Sequence, residues 1–154
     1  MKDLPVLNLP IYELKMRIVK EKKQIFDVVR KKYYQLTPEE WVRQNFIHYL
    51  NKEKNYPLGL IAVEKKVKNN IKDVRADIVL YDTHNNANII VECKAPNINI
   101  SQDIFYQIAK YNFILKSQFL IVTNGIKHFC CKMDYKRNTY DFISEIPNYL
   151  KSCN

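Results

Sequence analysis

Glycine is almost missing from this chain, which has only Gly59 and Gly125 among its 154 residues. A phosphate-binding loop of the Walker or dinucleotide type needs several glycines within a few positions, because its backbone must approach the phosphates closely. The sequence therefore excludes most nucleotide-driven motors and the Rossmann oxidoreductases, which depend on such a loop.

Long apolar runs and paired cysteines are missing as well. No run approaches the roughly 20 apolar residues that cross a bilayer, and residues 1–5 lack the apolar core of a signal peptide. The four cysteines, Cys93, Cys130, Cys131 and Cys153, form no C-x-x-C pair and have no histidine at zinc-finger spacing. We therefore expect a cytoplasmic protein without structural zinc, in which Cys93 and either Cys130 or Cys131 are small core residues.

Positive charge is in excess, since 25 lysines and arginines against 16 acidic residues give a net charge of +9. A small basic domain attracts polyanions such as nucleic acid or an anionic membrane. The length predicts a single domain over 1–154. Within it we expect a lead-in and hairpin over 1–36, a core over 37–135 and a C-terminal extension over 136–154.

The first 36 residues predict a hairpin followed by a basic stretch. Alternating apolar and polar residues over 12–19 are typical of a half-buried strand, and 24–30 is predicted as the return strand. Residues 31–34 (Lys-Lys-Tyr-Tyr) follow. They serve either as a solvated connector or as a surface where the lysines contact phosphates and the tyrosines stack on bases.

The sequence Thr37-Pro38-Glu39-Glu40 is typical of a helix start. The threonine suits the N-cap, the proline suits the first helical position, and Glu40 lies three residues after the cap. Apolar residues at helical spacing extend this helix to about residue 53, and Glu39 falls in line with them.

A second helix is predicted over 102–116, capped by Ser101 and turning either Tyr111 or Asn112 inward. The apolar run 119–125 has no polar alternation, which indicates a parallel central strand reached by a β-to-α crossover. Further strands are predicted at 60–64, at 75–81, from 87 to the break at Pro96, and at 127–133, and residues 65–72 are predicted as the tip of the hairpin that joins the first two. This order predicts an α/β fold, with a mixed β-sheet flanked by two helices and preceded by a hairpin.

Charged residues occur at the ends of two of these strands. Asp77 lies near the start of one, while Glu92 and Lys94 leave the same face near the end of the next, with Cys93 on the opposite face. Magnesium is usually held by one or two carboxylates together with waters and a substrate phosphate. Asp77, Glu92 and the backbone carbonyl of Cys93 are therefore candidate metal ligands.

Two other residues complete this candidate site. Lys94 can orient or deprotonate a water, or neutralise charge that develops on a phosphate. Glu39, on the inner face of the first helix, can reach the same ion or its waters. The alternative interpretation is an ordinary Glu–Lys pair at a strand end beside an unrelated aspartate.

Four blocks in this order resemble the PD-(D/E)xK nuclease superfamily. More closely, they resemble the nuclease domain at the N-terminus of type I restriction enzyme R (motor) subunits. The blocks are 75–77 (Arg-Ala-Asp), 91–96 (Val-Glu-Cys-Lys-Ala-Pro), 107–112 (Gln-Ile-Ala-Lys-Tyr-Asn) and 122–125 (Val-Thr-Asn-Gly). Residues 37–44 also resemble the opening helix of a stand-alone branch of that family. Ala76 stands where the superfamily name has proline, a position that serves backbone shape rather than chemistry.

The resemblance implies a restriction-endonuclease-like fold and a DNA endonuclease that depends on Mg²⁺ or Mn²⁺. The family's metal-binding aspartate and glutamate fall on Asp77 and Glu92, and its lysine falls on Lys94. The first-helix glutamate falls on Glu39 or on Glu40.

A Q-x-x-x-Y element, associated in the family with nuclease activity and DNA handling, falls on Gln107 and Tyr111. Residues four apart lie on one face of a helix, so both side chains can point at one site. The other interpretation of Tyr111 is core packing with a satisfied hydroxyl.

The expected partners are DNA and, because no helicase motor follows the domain, a separate motor or modification subunit. We expect Lys31, Lys32, Arg43 and Arg75 to contact nucleic acid. The competing function is a catalytically silent DNA-binding or docking module of the same fold. The sequence does not distinguish DNA from RNA as the nucleic acid that is bound or cleaved.

Overall fold

The computed structural model describes residues 4–67 and 74–149, and within these ranges the chain forms two sheets and two helices. In chain order the elements are β1 (Met16–Val19), β2 (Lys22–Asp27), β3 (Lys32–Gln35), α1 (Pro38–Lys52), β4 (Ile61–Val67), β5 (Val74–Tyr81), β6 (Ala87–Cys93), α2 (Gln102–Leu115), β7 (Phe119–Thr123), β8 (His128–Asp134) and β9 (Thr139–Ile143). A short 3-10 turn, Leu58–Leu60, precedes β4. In these ranges neither helix has the length and apolar character to cross a membrane.

The larger sheet has the strand order β4-β5-β6-β7-β8-β9. Neighbouring strands are antiparallel, except that β6 and β7 run parallel and are joined by α2. All residues of β7 are buried, as expected for a central strand that is covered on both faces. The predicted mixed α/β sheet and its parallel central strand are therefore confirmed.

The two helices cover opposite faces of this sheet. Val42 and Phe46 of α1 pack in one apolar cluster with alternate residues of β5, β6 and β7. Phe105 and Ala109 of α2 pack in a second cluster with residues on the other face of the same strands. Because a strand alternates its side chains between faces, two helices can bury one apolar sheet.

The predicted N-cap hydrogen bonds are present at the start of both helices. Thr37 Oγ1 accepts from the Glu40 backbone N–H at 3.0 Å, and Ser101 Oγ accepts from the Ile104 N–H at 3.2 Å. Of the two residues left open in α2, Asn112 is buried, whereas Tyr111 is 47% exposed. The inward residue is therefore Asn112, and Tyr111 faces outward.

The N-terminal hairpin is confirmed, but it belongs to a three-stranded antiparallel sheet of β1, β2 and β3. The half-buried strand expected over 12–19 is wrong, because β1 is shorter and every residue in it is exposed. As an edge strand it pairs only with β2. The stretch at 31–34 is not a connector, since most of it forms β3, where the ring of Tyr33 lies 3.9 Å from the Arg17 guanidinium.

The C-terminal part of the chain contributes more to the sheet than expected. β9 pairs with β8, with Phe142 opposite Cys131, so the sheet continues beyond residue 135. Cys93 is a buried free thiol, as predicted, and both Cys130 and Cys131 are buried free thiols, although the sequence predicts only one of the two in the core. Of the hairpin tip expected at 65–72, residues 65–67 belong to β4 and 68–72 lie outside the described ranges, as does Cys153.

Candidate active site

The register of β5 and β6 brings the predicted charged residues together. Ile78 of β5 lies opposite Val91 of β6. Because the two strands are antiparallel, the next position along places Asp77 opposite Glu92. Asp77 Oδ2 accepts the Cys93 backbone N–H at 2.7 Å. Lys94, directly after β6, donates through Nζ to Glu92 Oε1 at 3.1 Å.

A cleft of about 710 Å³ opens beside this cluster. Glu92 and Lys94 line it from β6, Glu39 lines it from the first turn of α1, and Gln107 and Tyr111 line it from α2. The structure thus gathers five of the predicted catalytic residues around one cavity. Asp77 lies just behind them, with its side chain 14% exposed.

The carboxylates at the cleft are crowded. Burial raises the pKa of Glu92 to about 7, the charge of Asp77 adds to this increase, and Lys94 opposes it. The pKa of Glu39 is raised too, first by burial and then by Asp77. For Lys94, burial lowers the pKa, but Glu92, Glu39 and Asp77 together raise it above its ordinary value, which favours the ammonium form.

Arg43 lies beneath these carboxylates, with its side chain only 5% exposed. Its Nη2 lies 3.0 Å from Glu39 Oε1, 3.0 Å from Glu64 Oε1 and 2.8 Å from Asp77 Oδ1, while its Nη1 donates to Glu40. Although burial lowers the pKa of the guanidinium, Asp77 and Glu40 raise it above its ordinary value.

The predicted nucleic-acid contact of Arg43 is therefore wrong. A guanidinium buried among carboxylates is not accessible to a phosphate, and its charge already neutralises its neighbours. The sequence predicts a surface cation at this position because the partners Glu64 and Asp77 lie far away along the chain.

The two glutamates at the start of α1 have different surroundings. Glu39 lines the cleft. Glu40 is buried, and its carboxylate accepts from Arg30, Arg43 and Gln44. Its carboxylate therefore points away from the cleft, and Glu39 is the residue placed for the role of first-helix acid.

Glu64 belongs to the cluster, although the sequence does not single it out. It ion-pairs with Arg43 and also with Arg75. In the sequence it follows the apolar run 60–63 and precedes two lysines, which is typical of a strand end that turns to solvent. Only the partners across the sheet reveal its place in the site.

The other predicted nucleic-acid contacts lie at the surface. Lys31 and Lys32 are exposed on the N-terminal sheet. The Arg75 side chain is 63% exposed and lines the cleft. Their binding to nucleic acid stays a prediction.

The donor chemistry of the cleft fits a hard cation. Asp77 and Glu92 supply carboxylate oxygens at adjacent strand ends, and their mutual repulsion is relieved by positive charge between them. Within 4–67 and 74–149, no group of three or more Asp, Glu, His or Cys side chains is arranged to hold a metal ion by itself. An ion here would therefore take its remaining ligands from backbone carbonyls, waters or substrate, as Mg²⁺ commonly does.

Comparisons with known proteins agree with this fold. Residues 38–147 match a family model described as "Type I restriction enzyme R protein N terminus (HSDR_N)". A search of curated proteins gives no match. Among solved structures, a fragment of an HsdR subunit of a type I restriction enzyme from Vibrio vulnificus YJ016 is similar in fold, with a TM-score of 0.52 and 23% identity. The similarity covers 75% of this chain and 24% of that chain.

Proposed function

Because the chain belongs to the family of type I restriction enzyme R protein N-termini, we propose that it is a metal-dependent endonuclease that hydrolyses phosphodiester bonds of DNA. The observation that carries the proposal is the grouping of Asp77, Glu92 and Lys94 at adjacent strand ends. Glu39, Gln107 and Tyr111 line the same cleft from two different helices.

In this proposal Asp77, Glu92 and the backbone carbonyl of Cys93 hold Mg²⁺ or Mn²⁺. A bound ion polarises the scissile phosphate and lowers the pKa of a coordinated water. Asp77 is suited to this role because Arg43 and the Cys93 N–H fix its orientation, and each carboxylate oxygen retains a second lone pair.

The other residues around the cleft act on the water and the phosphate. The Lys94 ammonium donates a hydrogen bond to the attacking water or to a phosphate oxygen, and Glu39 accepts one from the water. The water oxygen forms a bond to phosphorus while its proton passes to the Glu39 carboxylate, and the bond from phosphorus to the leaving oxygen breaks as that oxygen takes a proton from solvent. The Gln107 amide and the Tyr111 hydroxyl can hold the phosphate oxygens during this exchange.

Nucleic acid is the substrate class that the charge of the protein favours. The net charge of +9 attracts a polyanion. Lys31 and Lys32 on the N-terminal sheet and Arg75 at the cleft are the proposed phosphate contacts. The proposal includes a cytoplasmic location and a separate motor or modification subunit as a further partner.

One observation favours a second candidate, a catalytically silent DNA-binding or docking module. Both carboxylate oxygens of Asp77 already accept hydrogen bonds from within the protein, and Glu92 is paired with Lys94. The charges of Asp77 and Glu92 are thus partly compensated without an added ion. DNA binding without metal-dependent cleavage would favour this second candidate.

Nicking of supercoiled plasmid by the purified protein in Mg²⁺ or Mn²⁺ tests the two candidates. Wild type should be compared with Lys94→Ala and with Lys132→Ala, a matched control because Lys132 is exposed on β8. The nuclease requires cleavage by wild type and by the control, with loss in Lys94→Ala. Equal cleavage by all three would point to a contaminant or a different site.

A further inference from the structure

The backbone of Glu64 is unusual for its place in the fold. Its φ of 54° lies in the left-handed region, where a non-glycine residue is strained. In the described ranges, the other non-glycine residues with positive φ lie in turns, in a loop or at a helix end: Lys20, Glu21, Lys31, Asn55, Asn85, Lys116 and Asn138. Glu64 alone among them lies inside a strand, and strain of this kind persists only where the surroundings impose it.

Glu64 also completes a row of acids across three strands. Val63 pairs with Ile78 and Lys65 pairs with Ala76, so Glu64 lies opposite Asp77 across β4 and β5. On the other side of Asp77, the antiparallel pairing of β5 with β6 places Glu92 opposite it. Like charges opposite each other in a sheet are destabilising unless a cation compensates them.

The side chains of β5 switch from one face of the sheet to the other at Asp77. Residues two apart in a strand normally share a face. However, Ala76 packs in the cluster beneath α2, whereas Ile78 packs in the cluster beneath α1. The reversal falls at Asp77, across from Glu64, and it lets Arg43 of α1 reach a carboxylate that lies beside the cleft.

Arg43 links the two acids, because its Nη2 contacts both Glu64 Oε1 and Asp77 Oδ1. The other oxygen of Glu64 accepts from Arg75. We propose that Glu64, strained inside β4 and opposite Asp77, is a positioning residue that acts through Arg43 to fix the Asp77 carboxylate. The consequence for metal binding rests on the proposed function.

The physical effect is that Glu64 and Asp77 share the positive charge of Arg43. While Glu64 shares the Arg43 guanidinium, Asp77 keeps negative charge for a cation at the cleft. Without the Glu64 carboxylate, Arg43 interacts more strongly with Asp77 and competes with the ion. Residues that orient a ligand in this indirect way typically alter metal affinity by about 10-fold to 100-fold.

The test uses Glu64→Gln, which removes the charge, and Glu64→Asp, which retains it on a shorter side chain. Asp141→Asn is the matched control, because Asp141 is an exposed strand acid on β9 at the far edge of the sheet. Mn²⁺ alone is titrated calorimetrically into each protein, and kcat and KM are measured for plasmid. Thermal unfolding is followed in a chelator for Glu64→Gln, Asp77→Asn and the double variant.

We expect Glu64→Gln to lower Mn²⁺ affinity by about tenfold or more and to lower kcat without raising KM. Glu64→Asp should lie between this variant and wild type, and the Asp141→Asn control should equal wild type. Unchanged Mn²⁺ affinity in Glu64→Gln would overturn the inference while leaving the nuclease intact. A rise in KM alone would also overturn it, because Glu64 would then act on DNA through Arg75.

If wild type neither binds Mn²⁺ nor cleaves DNA, the proposed function fails and the unfolding temperatures decide the inference. Two residues that share Arg43 should give shifts in unfolding temperature that do not add in the double variant. Additive shifts would overturn the positioning role.

Discussion

Arg43 donates through Nη2 to Asp77 Oδ1 at 2.8 Å, although the two residues are 34 positions apart. One residue lies on a helix and the other on the sheet beneath it. The same guanidinium also contacts Glu39, Glu40 and Glu64. A single buried cation therefore neutralises a group of carboxylates next to the cleft.

Removal of this cation should be costly. We expect Arg43→Met to lower the free energy of unfolding by about 3–5 kcal/mol, because it leaves buried carboxylates without their partner. Urea unfolding measures the change. Arg137→Met is the control, since the exposed pair of Arg137 with Asp134 should contribute less than about 1 kcal/mol. Similar small losses in both variants would show that Arg43 is not the main counter-charge of the site.

Gln107 should matter for cleavage and not for folding. Its side chain is exposed on α2 and lines the cleft. We therefore expect Gln107→Ala to keep the unfolding temperature of wild type while plasmid cleavage falls by about tenfold or more, since a donor to the phosphate is lost. Gln102→Ala, in the first turn of the same helix and outside this cleft, is the control. Cleavage at the wild-type rate by Gln107→Ala would remove Gln107 from the site.

Lys31 and Lys32 should set part of the salt dependence of DNA binding. Each phosphate contact contributes about 0.9 to the slope of log affinity against log salt concentration. If both lysines contact phosphates, the double variant Lys31→Gln with Lys32→Gln should reduce that slope by about 2. Fluorescence anisotropy in a chelator measures binding without cleavage. Lys116→Gln with Lys136→Gln, two exposed lysines elsewhere on the chain, should leave the slope unchanged.

His128 should make stability fall in acid. Its Nδ1 lies 2.7 Å from Thr123 Oγ1 and its Nε2 lies 2.9 Å from the Asn8 carbonyl oxygen, a set of contacts that suits the neutral ring. Burial lowers the pKa of His128 in the folded protein, and its hydrogen bond to Asn8 opposes this effect only in part. The unfolded chain then binds a proton more readily, so stability is full above about pH 6.5 and falls as the pH drops below that value.

Urea unfolding at about pH 7.5 and about pH 5.5 measures this effect. His128→Asn should lose less stability between the two values than wild type does. His84→Asn is the control because His84 is exposed in a turn, and it should retain the wild-type pH dependence. An unchanged pH dependence in His128→Asn would assign the effect to other groups.

The central part of the site could be predicted from sequence because its residues lie on neighbouring elements. Asp77 and Glu92 are on consecutive strands joined by a short turn, and Lys94 follows two residues later. Local alternation and hairpin pairing therefore suffice to place them together. For Gln107 and Tyr111 the prediction comes from the resemblance to the nuclease family, and helical spacing adds only that their side chains share one face.

The remainder depends on contacts that no local pattern records. Arg43 looks like a surface cation, since the i, i+4 pair with Glu39 is ordinary on an exposed helix. Glu64 has a left-handed backbone without the glycine or asparagine that usually signals it. The predicted burial of β1 is wrong, because alternating apolar and polar residues indicate that a strand has two different faces but not whether another element covers the apolar face.

The buried contacts between Asp27, Arg30 and α1 have a consequence for where this domain begins. Asp27 is fully buried and accepts from Arg30 and from Gln44, while Arg30 also donates to Glu40. The family match starts at residue 38, after both Asp27 and Arg30. A protein shortened to that start would keep every residue of the cleft but lose the partners of Glu40 and Gln44 on α1. The buried contacts of the folded domain therefore extend beyond the residues that the family model matches.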